Sequence, residues 1–118
     1  MADLLVDTDV LVDHLRWAQR LEPAGHRIAY SVITRCELFA GSNTDERLIG
    51  ALLEPFAELG VDRAIAERAG RLRRGRSIRT PDALIAATAL EHGLRLLTRN
   101  RRDFETIRGL RLEAPSRP

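Results

Sequence analysis

The sequence predicts an α/β fold, with a central parallel sheet of about five strands and helices on both of its faces. Three observations predict it. Short continuous apolar runs such as Leu4-Leu5-Val6 have the pattern of strands buried on both faces. These runs alternate with stretches of helical periodicity, the order that builds parallel crossovers. Ala83 to Leu90 is apolar nearly all round, so that helix must be covered on several sides.

Each element follows from local residues. Leu4-Leu5-Val6 is the first strand and ends at Asp7. Val10, Leu11, Leu15 and Ala18 recur at helical spacing, which predicts a helix from Val10 to Leu21 before Pro23-Ala24-Gly25 breaks the chain. Ile28-Ala29-Tyr30 reads as the second strand. Ser31 is placed to cap a helix over Val32 to Ala40, and Gly41 stops it. Glu46 to Leu59 reads as helical, with Pro55 at a kink or at the junction of two helices. Gly60-Val61 carries a short third strand, and Ala64 to Arg74 another helix. Thr80-Pro81 opens the next helix, with Thr as cap and Pro at the first position, and Gly93 ends it. Arg95 to Thr98 holds the fourth strand and Leu110 to Leu112 the fifth. The 118 residues fit one domain spanning 1–118, with no linker, repeat or low-complexity segment.

Composition narrows the function. A hydrophobic share of 44% with 31% charged residues is that of a globular chain. One cysteine excludes a disulfide framework and a thiolate zinc cluster. Cys36 falls on an apolar stripe with Val32, Ile33, Phe39 and Ala40, and is expected in the core. His14, His26 and His92 lack metal-ligand spacing and are expected at the surface. Trp17, at helical spacing from Val10 and Leu21, fits either core or contact surface. No apolar run approaches the ~20 residues of a membrane span, and Met-Ala-Asp-Leu lacks the basic flank of a signal peptide, so a soluble cytoplasmic protein is expected. All 19 basic residues are Arg. Arg suits phosphate because its fork donates two parallel hydrogen bonds, although a GC-rich genome produces the same bias.

Four acids stand where burial makes charge costly. Asp7 directly follows a buried strand, and in open parallel sheets the ligand crevice lies outside the carboxyl ends of strands. A carboxylate that caps the next helix is the competing reading for it alone. Glu37 lies at the edge of the apolar stripe of its helix, where a carboxylate is partly desolvated or swings out to water. Asp82 lies in the first turn of the apolar helix, where the helix dipole alone would explain it. Asp103 follows the fourth strand in Thr98-Arg99-Asn100-Arg101-Arg102-Asp103-Phe104, where a loop ion pair would also account for it. Together they suggest more. If strands one and four are neighbours, Asp7 and the Thr98–Asp103 loop share one crevice. Two unit charges ~4 Å apart repel by about 4 kcal/mol at an effective dielectric of 20. A hard divalent cation removes that cost, and Mg²⁺ prefers such oxygen ligands while keeping several waters.

The same residues carry a family resemblance. The chain resembles PIN-domain ribonucleases, specifically the VapC-type toxins of bacterial type II toxin–antitoxin pairs. Leu5-Val6-Asp7-Thr8-Asp9-Val10-Leu11-Val12-Asp13 is similar to the family's opening strand and first acid. Ser31-Val32-Ile33-Thr34-Arg35-Cys36-Glu37-Leu38-Phe39-Ala40-Gly41 resembles its second block, Pro81-Asp82-Ala83-Leu84-Ile85-Ala86-Ala87-Thr88-Ala89 its third, and Thr98 to Phe104 its last. The resemblance implies a PIN-like three-layer α/β/α fold and a Mg²⁺-dependent endoribonuclease, with Mn²⁺ as the other candidate ion. It implies an acidic quartet of Asp7, Glu37, Asp82 and Asp103 that holds the metal and an attacking water. Asp7 and Asp82 would be the direct ligands; Glu37 and Asp103 would complete the shell mainly through waters. Asp9 departs from the Asn of many members and adds a fifth carboxylate, and Asp9, Thr98 and Asn100 are accessory candidates. The resemblance further implies RNA as substrate, a homodimer, and a cognate antitoxin that blocks the site.

Arg71, Arg73, Arg74, Arg76 and Arg79 precede Thr80 and are candidates for RNA backbone contacts, with Arg99, Arg101 and Arg102 at the other end of the site. A solvated helix face is the competing reading. Two rival functions remain. Asp7-Thr8-Asp9-Val10 also fits the opening of a haloacid-dehalogenase-type phosphatase, but the chain has no Lys and no Gly-Asp acid motif downstream. A non-catalytic RNA- or partner-binding module with a relic acidic site is the other; metal-dependent RNA cleavage separates it.

Overall fold

A computed structural model describes residues 3–17, 27–42 and 44–115, with the backbone alone over 14–17. Its element order is β1 (Leu4–Val6), α1 (Thr8–Trp17), β2 (Ile28–Ser31), α2 (Val32–Phe39), α3 (Glu46–Leu53), β3 (Ala57–Leu59), α4 (Arg63–Arg73), α5 (Thr80–His92), β4 (Arg95–Leu97), α6 (Arg101–Phe104) and β5 (Leu112–Glu113). The five strands form one parallel sheet in the order β3-β2-β1-β4-β5. The expected helix past Trp17 to Leu21, the break at Pro23-Ala24-Gly25, His26, and the side chains of His14 and Trp17 lie outside the described residues.

Alternation along each strand sorts its side chains between two cores. On one face Leu5, Ala29 and Leu96 pack against Ile65, Ala69, Ala83, Ile85, Ala86 and Phe104, which belong to α4, α5 and α6. On the other, Val6, Ile28, Tyr30 and Leu97 meet Val10, Leu11, Leu38, Ile49 and Leu53 from α1, α2 and α3. The result is three layers with the sheet in the middle. α5 is buried along Ala83, Ile85, Ala86, Ala87, Thr88 and Ala89, as its all-round apolar sequence requires.

Local chemistry sets the helix ends. Ser31 caps α2, its Oγ accepting the Ile33 N–H at 3.0 Å. Asp45 and Asp62 cap α3 and α4 in the same way. Gly93 ends α5 in the left-handed conformation, φ 65°.

Three expectations needed correction. The third strand is Ala57–Leu59 and not Gly60-Val61, and α3 stops at Leu53. Pro55 interrupts the helix, and the Glu58 carboxylate that follows accepts from the Tyr30 hydroxyl at 3.1 Å and from Arg35. Pairing with β2 thus draws an exposed, polar segment into the sheet edge. Thr80 is the first helical residue and Arg79 holds the cap position, with no side-chain cap bond. Cys36 is exposed. The buried side of α2 is Thr34 and Leu38, because Thr34 spends its hydroxyl on Thr8 and so can face inward. The stripe of Val32, Ile33, Cys36, Phe39 and Ala40 lies partly or fully at the surface.

Candidate active site at the carboxyl ends of the strands

β1 and β4 are parallel neighbours, with Val6 opposite Leu97. Their carboxyl ends therefore deliver Asp7 and Thr98 side by side, and the Asp7 N–H donates to the Leu97 carbonyl at 2.9 Å. The Thr98 hydroxyl donates to Asp7 Oδ2 at 2.8 Å, and the Thr8 N–H donates to Asp7 Oδ1 at 2.8 Å. Asp7 is only 4% exposed. Among the described residues no basic side chain forms an ion pair with it. Burial raises its pKa from 3.8 to about 6, against the lowering effect of the Thr98 and Thr8 hydrogen bonds; the charges of Asp9 and Asp82 push it the same way as burial.

The other three acids reach this end of the sheet from different elements, and of them only Asp82 acts on Asp7 through its charge. Glu37, on α2, accepts from the Thr8 hydroxyl at 2.7 Å. Asp82, in the first turn of α5, has its side chain 16% exposed. Its pKa is raised by burial first, then by Asp103 and Asp9, with Arg79 opposing. Asp103, on α6, is exposed, and its charge acts on both Asp82 and Arg79. α5 runs back down to enter β4, so its amino end lies at the same edge of the sheet as Asp7.

The accessory residues are knitted to the acids. Asn100 donates its backbone N–H to Thr98 Oγ1 at 3.0 Å and its side-chain amide to Asp9 Oδ2. Asp13, one turn further along α1, pairs with Arg99 at 2.7 Å. Asp9 thus clamps the β4–α6 loop onto α1. Two residues that sequence reasoning passed over, Thr8 and Thr34, complete the array. The buried Thr34 hydroxyl lies 2.9 Å from Thr8 Oγ1, and with Thr8 donating to Glu37 the chain of donors runs Thr34 to Thr8 to Glu37. The signal was present: both hydroxyls fall within the blocks that carry Asp7 and Glu37.

The arginines divide. Arg73 donates to the Ile78 carbonyl and Arg76 to the Leu72 carbonyl, each at 3.1 Å, so both shape the α4–α5 loop. Arg71 and Arg74 are exposed at the end of α4. Arg79 pairs with Asp82 at 3.4 Å.

The donor set is oxygen alone, which fits a hard divalent cation. Among the described residues, no group of three or more acidic, histidine or cysteine side chains is arranged to hold a metal ion. Mg²⁺ needs none, since it is commonly held by one or two carboxylates and retains waters. A buried, ionisable carboxylate without a cationic partner, such as Asp7, is a fitting ligand.

The family model of the PIN domain matches residues 4–110. The chain belongs to the PIN-domain family. Its relatives include ribonuclease VapC10 of Mycobacterium tuberculosis, 39% identical over 110 residues, covering 82% of each chain. Ribonuclease VapC1 of Methanocaldococcus jannaschii is 31% identical over 112 residues, covering 89% of this chain and 81% of the relative. Among solved structures, a toxin–antitoxin complex from Klebsiella pneumoniae superposes with a TM-score of 0.82 at 34% identity, covering 98% of this chain and 100% of that one. This PIN domain is thus of the VapC type, and its five-stranded parallel sheet between helices is the architecture that its residue blocks predicted. No helix among the described residues is long and apolar enough to cross a membrane.

Proposed function

We propose that this chain is a Mg²⁺-dependent endoribonuclease, with Mn²⁺ as an alternative ion, and the toxin of a toxin–antitoxin pair. The observation that carries the reading is Asp7, a buried carboxylate at the end of a parallel strand that shares the fields of Asp9 and Asp82 and has no cationic partner among the described residues. Membership of a family whose relatives here are named ribonuclease VapC supports RNA as substrate. The Klebsiella complex supports an antitoxin partner. A homodimer rests on the family resemblance alone.

In this reading Asp7 and Asp82 would hold the ion, with Glu37 and Asp103 completing the shell through waters. When bound, the ion would lower the pKa of a water and offset charge on the phosphate. The protein's own groups do the rest. Thr98 and the Thr8 N–H each hold one oxygen of the Asp7 carboxylate, which fixes its orientation. The Thr8 hydroxyl holds Glu37, whose second oxygen remains to orient a water and accept its proton. Arg71, Arg74 and Arg79 would supply phosphate contacts along the RNA backbone, which give affinity and position but no sequence preference, while Arg73 and Arg76 hold the loop that carries Arg79.

The test uses the purified chain, freed of any antitoxin, on structured RNA with mapping of the new 5′ ends. Cleavage should require Mg²⁺ or Mn²⁺, stop with a chelator, and be lost in Asp82→Asn while circular dichroism is unchanged. Binding of RNA without cleavage under all of these conditions would favour the relic-site module. Turnover of a phosphomonoester in its place would favour the phosphatase.

A further inference from the structure

Arg79 is placed unlike its neighbours in the basic stretch. It occupies the cap position of α5 in an extended backbone conformation, φ −71° and ψ 151°, and makes no cap bond. Its guanidinium reaches forward to Asp82, Nε to Oδ2 at 3.4 Å. The acid is largely covered, at 16% exposure, but the arginine is 73% exposed. The charges of Glu37 and Asp103 also bear on Arg79, but its ion pair is with Asp82. The loop that delivers it is tied by Arg73 to the Ile78 carbonyl and by Arg76 to the Leu72 carbonyl. Arg79 is therefore held by its backbone and loose at its tip.

We propose that Arg79 is a placeholder cation: it neutralises Asp82 when the divalent ion is absent, and once the ion displaces it, it swings to a non-bridging oxygen of the substrate phosphate. This rests on the metal-site reading above. A guanidinium and a divalent ion repel each other and compete for the Asp82 carboxylate. The pair is long and its arginine is open to solvent, and such pairs contribute little. The ion therefore displaces Arg79 at a cost of only a few-fold in affinity. Once released, the fork matches phosphate better than a point charge does, because it donates two parallel hydrogen bonds. The consequence is a pair of effects with opposite sign. Removing Arg79 tightens the metal and loosens the RNA, which neither a structural role nor a simple phosphate contact produces.

The experiment measures Mn²⁺ binding to the purified full chain by calorimetry without RNA, and KM for RNA at saturating Mn²⁺. In Arg79→Ala, Mn²⁺ should bind about two- to fivefold more tightly, the range expected for loss of an exposed competing pair. KM for RNA should rise several-fold in the same variant. Arg79→Lys should restore the metal competition more fully than the RNA affinity. Arg108, exposed in the turn before β5 and next to Gly109, which packs by Leu90 at the far end of α5 from Asp82, is the control for charge alone. Unchanged or weaker Mn²⁺ binding in Arg79→Ala would overturn the proposal, as would an equal tightening in Arg108→Ala or an unchanged KM for RNA. If the wild-type chain bound no Mn²⁺, or Asp82→Asn bound it equally well, the metal-site reading itself would fail and take this one with it. Arg79 is exposed, and unchanged circular dichroism verifies that each variant folds.

Discussion

Replacing Asp7 by Asn should stabilise the metal-free protein at neutral pH while abolishing cleavage. Asp7 is almost fully buried, and burial, aided by Asp9 and Asp82, raises its pKa from 3.8 to about 6. Between those values the folded chain holds a proton that the unfolded chain has released. Stability therefore falls as pH rises through that window and stays lower above it. At 1.36 kcal/mol per tenfold change in proton affinity, the ionised Asp7 costs the fold about 3 kcal/mol at pH 7.5. Asn keeps the shape and one acceptor, but its amide NH2 faces Thr98 Oγ1, so the Thr98 hydroxyl loses the oxygen it donates to. That mismatch costs about 1 kcal/mol. Denaturation in a chelator should show Asp7→Asn slightly less stable than wild type at pH 4 and about 2 kcal/mol more stable at pH 7.5. For a chain of this length the latter corresponds to a Tm about 6–8 °C higher. Mn²⁺ should raise the wild-type midpoint and leave that of the variant nearly unchanged. A variant that tracks wild type across the whole pH range, or is the less stable at pH 7.5, would refute the reasoning: it would mean that the fold already compensates this charge.

Two more outcomes are expected. Thr8→Val keeps the β-branched shape but removes the donor to Glu37, so single-turnover cleavage should fall by about tenfold or more, a hydrogen bond to a charged group contributing ~1.5–3 kcal/mol. Thr8→Ser should recover most of the rate, and equal rates in all three proteins would remove Thr8 from the site. Cys36 should react with a thiol reagent in the folded protein, and Cys36→Ser should change stability by no more than about 0.5 kcal/mol; protection of the thiol until unfolding would return it to the core.

The sequence is informative where one physical cause dominates. Leu4–Val6 and Leu96-Leu97 are apolar on both faces, so a buried parallel strand is the available reading, and Asp7 follows as an acid at a strand end. The all-round apolar α5 likewise leaves one role, a helix covered on several sides. Where neighbours decide, the reading fails. Ala57-Glu58-Leu59 has little strand character and is a strand because β2 offers it a ladder and Arg35 and Tyr30 offer Glu58 partners. Cys36 looks like core by hydrophobicity, but α2 turns Thr34 inward because Thr8 satisfies its hydroxyl across 26 residues of sequence. The acids were legible as a set by type and order. Their wiring was not: the Asp9 clamp on Asn100 and the Thr34–Thr8–Glu37 chain depend on contacts between α1 and segments far away in sequence. The same is true of Arg73 and Arg76, whose basic character says phosphate while their geometry says loop carbonyl.

The hydrogen bond from Thr98 to Asp7 joins residues 91 positions apart, and β1 lies between β2 and β4 in the sheet. Asp7 gains its hydroxyl partner and its second neighbouring strand only once the segment from β4 onward has joined the sheet. Residues up to α2 hold all three members of the Thr34–Thr8–Glu37 array, but the bond that fixes Asp7 Oδ2 waits for Thr98. Loss of the segment from β4 onward would strip Asp7 of its hydroxyl donor and of one neighbouring strand without touching Asp7 itself.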